Sequence, residues 1–136
     1  MEVLYLLDTN TVSYYIANNP SEVRQNLTGV GLKSTAVSAI TEAELRCGIA
    51  RNPGAMRRCA SVELFLRHAL ILPWDSSAAR AYGQLCASQE RKGRPLSVED
   101  LMIVAHALSA GLTLVTNDQA FSFVDGLKTE DWTIAS

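Results

Sequence analysis

Four acidic residues of this chain sit in segments of one recurring kind. Asp8 closes the apolar run VLYLL (residues 3–7), in LLDTN. Glu44 lies in the first turn of a helix that follows TAVSAI, in SAITEAEL. Asp100 opens an apolar helix, in SVEDLMIVAHAL, and Asp118 follows LTLVT, in VTND. Each stands at the end of an expected strand or at the start of the helix after one. In an open parallel sheet that is where ligands bind. Two carboxylates about 4 Å apart repel by roughly 4 kcal/mol at an effective dielectric of 20. Four in one cleft call for a cation, and an all-oxygen donor set suits Mg²⁺ or Mn²⁺. His106 lies six residues beyond Asp100 and off its face, and no cysteine adjoins the four segments, which argues against Zn²⁺. The chemistry open to such a site is metal-assisted hydrolysis of a phosphodiester.

Each acid also has a purely structural use. Thr41-x-x-Glu44 and Ser97-x-x-Asp100 match the capping-box pattern, in which the acid satisfies helix N-terminal donors. Asp8 and Asp118 suit turns and N-caps. Four acids in this order at one edge favour a site, and capping is compatible with it.

The elements that must position these acids alternate. VLYLL (3–7) is apolar throughout, as a strand buried on both faces requires. Short helices are expected at 11–17 and 21–28, with Ser21 as a cap. A strand at 35–40 precedes a helix from Thr41 to about Asn52. Helical spacing recurs over 55–70, the run LIL follows, and Asp75 caps a helix to about Arg91. Ser97 starts an apolar helix that Gly111 stops after Ala110. LTLVT (112–116) reads as a strand, 118–123 as a helical turn and WTIA (132–135) as a last strand. The order predicts a parallel α/β sheet between helices, with the helices at 55–70 and 75–91 forming a hairpin-like insertion.

The chain has 136 residues and 48% hydrophobic content, enough for one domain with its own core and too apolar for a disordered chain. It shows no repeat, no linker, no secretory signal pattern and no apolar stretch long enough to span a bilayer. Cys47, Cys59 and Cys86 fit neither a disulfide framework nor a zinc pattern and read as small buried thiols of a reducing compartment. The net charge of −2 is unevenly spread. Residues 46–94 hold nine Arg and Lys against three acids, whereas the rest hold three against eleven. A basic middle beside a carboxylate site suits a polyanion. Arg91, Lys92 and Arg94 directly precede the helix carrying Asp100, which makes them candidates to grip a nucleic-acid backbone; Arg57 and Arg58 are further ones, and Arg46 is a weaker one.

The four segments LLDTN, SAITEAELRCGI, SVEDLMIVAHAL and LTLVTNDQAF, followed by a Trp, resemble the PIN domain, and within it the VapC-type ribonuclease toxins. The resemblance covers essentially the whole chain and implies a single PIN domain over 1–136. It also implies a metal-dependent ribonuclease acting on RNA, tRNA included, with Asp8, Glu44, Asp100 and Asp118 as catalytic acids. Asp8, Asp100 and Asp118 would hold Mg²⁺ or Mn²⁺, with Asn10 and Thr116 as polar supporters. It further implies a VapB-type antitoxin, a homodimer and a cytoplasmic location. Glu42 and Glu99 are rival acids; the family's E-L-x-x-G pattern selects Glu44, and its acid before an apolar helix selects Asp100. The alternatives are a catalytically inactive adaptor of the same fold and a phosphoacceptor receiver domain, which wants a paired acid where Thr9 and Asn10 follow Asp8.

Overall fold

A computed structural model describes residues 2–93 and 96–135. Five short parallel strands form one sheet in the order β3-β2-β1-β4-β5. They are β1 (Tyr5–Leu7), β2 (Thr35–Ser38), β3 (Ile71–Leu72), β4 (Thr113–Val115) and β5 (Thr129–Glu130). The helices are α1 (Thr9–Ala17), α2 (Glu22–Val30), α3 (Ala39–Arg51), α4 (Met56–His68), α5 (Ser76–Lys92) and α6 (Val98–Ala110), with 3₁₀ turns at Leu32–Ser34 and Gln119–Phe123.

Strand order dictates which helices share a face. From β1 the chain steps outward through β2 to β3, then returns past β1 to β4 and β5. Parallel crossovers are right-handed, so reversing the direction of travel moves the connecting helices to the opposite face. Helices α1 to α4 accordingly share a core with Leu7, Val37 and Val115. Helices α5 and α6 and the second 3₁₀ turn share one with Leu6, Ala36 and Leu114. Register places Leu6 beside Ala36 and Leu114, and Leu7 beside Val37 and Val115. One residue's shift along each strand therefore switches cores, as the two-residue period of a strand requires. The small Ala36 faces the α6 side, where Val104, Ala105 and Ala107 are fully buried. Gly111, at φ 68°, ends α6 in the left-handed region that glycine adopts without strain.

Five expectations change, the first being that Ser21, before α2, makes no side-chain capping hydrogen bond. The helices at 55–70 and 75–91 are not a hairpin insertion: β3 lies between them as an edge strand, and α4 and α5 pack on opposite faces. The last strand is Thr129–Glu130 rather than WTIA. Trp132 instead turns inward, 5.1 Å from Tyr5 in an edge-on ring contact, and Asn26 Nδ2 donates to the carbonyls of Trp132 and Ile134. Helix α3 starts at Ala39, capped by Ser38, so Thr41 lies inside the helix and is not its cap. Cys47 is exposed, and Cys59 and Cys86 are only partly buried.

Leu114, fully buried in the central strand pair, sets the α6 face. Leu114→Ala is expected to cost about 2–5 kcal/mol of stability, the range for a buried Leu truncated to Ala. Urea unfolding followed by circular dichroism measures it.

Candidate active site at the carboxyl edge of the sheet

The chain reverses direction around β1, so the crevice between the carboxyl ends of β1 and β4 is the topological switch point. Asp8 sits there as the residue after β1 and the N-cap of α1, with only 5% exposure. Its Oδ1 accepts from the Thr11 N–H at 2.8 Å, and its own N–H donates to the Val115 carbonyl at 3.1 Å. Burial is the largest influence on its carboxyl and raises the pKa. Hydrogen bonds from Thr116 and Thr11 oppose that shift, and the charge of Asp118 adds to it.

Asp118 reaches the same crevice from β4. It caps the 3₁₀ turn, accepting from the Ala120 N–H at 2.9 Å, and stands exposed to solvent. Thr116 joins the two acids. Its buried hydroxyl donates to Asp8 and accepts from the Asp118 N–H at 3.1 Å.

Asp100 comes from the opposite face, in the first turn of α6. Ser97 caps that helix by accepting from the Asp100 N–H at 3.1 Å. Burial is again the largest influence and raises the Asp100 pKa; the Ser97 hydroxyl lowers it, and the charges of Asp118, Asp8 and Glu99 raise it. Asp8, Asp100 and Asp118 thus feel one another's charge across the crevice. Among the described residues no three Asp, Glu, His or Cys side chains gather tightly enough to enclose one ion directly. The all-oxygen donors and mutual repulsion fit a hard divalent cation held partly through water.

Glu44 stands one step away, joined through Thr9. The Thr9 Oγ1 lies 2.5 Å from Glu44 Oε1 and 3.1 Å from Thr41 Oγ1. A hydroxyl has one proton, so Thr9 donates to the carboxylate and accepts from Thr41. Thr41 and Glu44 share a helix face at i, i+3, and both meet the start of α1. Of the rival acids, Glu42 is ion-paired with Arg46 at 2.9 Å, and Glu99 is exposed but close enough to act on Asp100. Asn10 is exposed on the first turn of α1; Thr9 makes the contact to Glu44.

The basic candidates divide. Arg46 bridges Glu42 and Glu63, Lys92 pairs with Asp125 at 2.9 Å, and Arg91 is exposed. Arg94 lies outside the described residues. Arg57 is exposed, and Arg58 donates to the Ser13 hydroxyl at 3.2 Å.

Sequence reasoning passed over Thr9, Ser38 and His106. Ser38 ends β2 and accepts from the Ile40 N–H at 3.0 Å. The same hydroxyl is hydrogen-bonded to His106 Nδ1 at 2.8 Å, joining the start of α3 to the middle of α6. Burial lowers the His106 pKa and keeps the ring neutral, with the charge of Asp75 opposing.

A parallel sheet wound about one switch point, with acids converging there from both faces, defines a PIN-type site. A family model of the PIN domain matches residues 5–127. The tRNA(fMet)-specific endonuclease VapC of Shigella flexneri is 37% identical over 129 residues, which is 94% of this chain and 97% of that protein. VapBC from Salmonella typhimurium, solved bound to DNA, superposes with a TM-score of 0.88 at 36% identity, covering 96% of this chain and 98% of that one. VapBC2 from Rickettsia felis, solved with a promoter DNA fragment, gives 0.86 at 30%, covering 97% and 99%. The chain belongs to the PIN domain family, in its VapC group.

A carboxyl whose pKa rises on folding contributes stability that is fully present where the unfolded chain is protonated too, below about pH 4. That stability is lost as pH rises through the folded value. Asp8→Asn keeps the cap acceptor and removes the buried charge. In divalent-free buffer the variant is expected to melt above the wild type at pH 7, and the gap should close on acidification. Thermal melts across pH 3 to 8 measure it; equal melting at pH 7 contradicts the strain assigned to Asp8.

Proposed function

We propose that this chain is a divalent-metal-dependent endoribonuclease, the toxin of a VapBC-type pair. The observation that carries the reading is the mutual electrostatic contact of Asp8, Asp100 and Asp118 at the switch point, two of them with pKa values raised by burial. Family membership supports the nuclease class. Asp8, Asp100 and Asp118 would hold Mg²⁺ or Mn²⁺, with Glu44 completing the catalytic acids. A bound divalent ion supplies positive charge to the phosphoryl oxygens and lowers the pKa of a water.

The chain's own residues do the positioning. Thr11 and Thr116 hold the Asp8 carboxylate in place, and Thr116 fixes the backbone that carries Asp118. Ser97 anchors the turn that presents Asp100, and Thr9 orients Glu44. Preset carboxylates need little reorganisation when charge develops at phosphorus.

The whole chain acts as one PIN domain in this reading. The partner is a VapB-type antitoxin, since the similar structures are VapBC assemblies. The toxin works in the cytoplasm as a homodimer, and no helix among the described residues is long and apolar enough to cross a membrane. The name of the Shigella relative makes tRNA the first substrate to test.

Purified protein is expected to cleave bulk tRNA with Mg²⁺ or Mn²⁺ and to stop when the metal is chelated. Asp100→Asn keeps the Ser97 cap and should lose roughly 100-fold or more in rate at nearly unchanged stability. Glu42→Gln, whose carboxylate is spent on Arg46, should retain most activity. Metal-independent cleavage, or a fully active Asp100→Asn, contradicts the assignment.

A further inference from the structure

Beside Glu44 a cleft of about 320 Å³ opens between α1, α3 and α4. Its size is at the lower end for ligand clefts, which run to about 300–1,000 Å³. Thr9, the residue after Asp8, and its hydrogen-bonded partner Glu44 form one wall. Leu45 and Ile49 supply apolar floor, and Asn52 and Arg58 stand on the far side.

Arg58 is the basic residue among the described part of the charged middle segment that lines this cleft. Arg46 and Lys92 are neutralised by carboxylates. Arg58 is exposed and donates to a neutral hydroxyl, that of Ser13, at 3.2 Å; no carboxylate among the described residues lies within ion-pair distance of it. Glu44 lines the same cleft without pairing to it. The cleft therefore carries a free positive charge at one end and the Glu44 carboxylate at the other. Arg57, its neighbour on α4, does not line it.

Resting on the ribonuclease reading, we infer that this cleft is a nucleotide subsite. It holds the RNA residue flanking the cleaved phosphodiester, with the Arg58 guanidinium on that residue's phosphate. The guanidinium fork suits phosphate oxygens, and the Ser13 hydroxyl holds it in place without quenching its charge. The apolar floor takes a splayed base, as single-stranded RNA recognition requires. The Asn52 amide on the far side offers a donor and an acceptor to the base edge.

The test uses the full chain and bulk tRNA. Arg58→Ala is expected to raise KM about tenfold, the worth of one charge-assisted hydrogen bond, while kcat changes much less. In an Asp100→Asn background, which binds without cutting, the same substitution should flatten the salt dependence of tRNA affinity by about 0.7–0.9 unit, one phosphate contact. Arg58→Lys keeps the charge and should recover part of the affinity. Circular dichroism checks that each variant folds. A wild type that fails to cut RNA defeats the functional reading itself. Wild-type cutting with unchanged KM and salt slope in Arg58→Ala overturns the subsite alone. Normal tRNA binding with weakened binding of an antitoxin would overturn it too, by assigning the cleft to a protein partner.

Discussion

The structure is organised around the cost of keeping the Asp8 carboxylate out of water. Burial pushes its pKa up, and the Thr116 hydroxyl together with the side chain and N–H of Thr11 work against that. Both partners are set by the β1–β4 pair. Thr11 is locked to β4 by its hydroxyl on the Val115 carbonyl at 3.0 Å, and Thr116 follows β4 directly. Moving either strand by a residue would strand the charge. The register of Leu7 against Val115 therefore serves the site as much as the core.

The same constraint explains why acids arrive from both sides. The sheet reverses its winding at β1, so α3 approaches the edge on one face and α6 on the other. Ser38 and His106 tie those two helices together across the end of β2 through a buried contact. The neutral ring adds no further charge to a region already crowded with it. Thr9 performs a similar service between α1 and α3, so Glu44 is oriented by α1, the helix that Asp8 caps.

Much of this was legible in the residues. The strand and helix order, the caps at Asp8, Asp75, Ser97 and Asp118, and the stop at Gly111 follow from local rules that the structure obeys. The start of α3 was not legible, because SAIT offers two good capping residues and only the sheet register shows that Ser38 ends the strand. WTIA has the composition of a strand, but Trp132 is drawn inward by Tyr5, a contact more than a hundred residues distant in sequence. The opposite placement of α4 and α5 depends on β3, whose two residues carry almost no pattern. The convergence of Asp8, Asp100 and Asp118 was foreseeable from strand ends; the linkage of Glu44 through Thr9 was not, since hydroxyl contacts leave no periodicity. Charge counting found the basic segment but not which of its members are already paired.

The separation of the two cores by a single sheet has an evolutionary consequence. Leu6, Ala36 and Leu114 belong to one core, and Leu7, Val37 and Val115 to the other, so a volume change on one side is felt by neighbours on that side. Each half can drift and repack by its own compensations while the crevice between them stays fixed. Correlated substitutions in diverging descendants should therefore gather within a face. The residues bound to both histories at once are the few at the edge where the faces meet, Ser38, Thr116 and the acids among them.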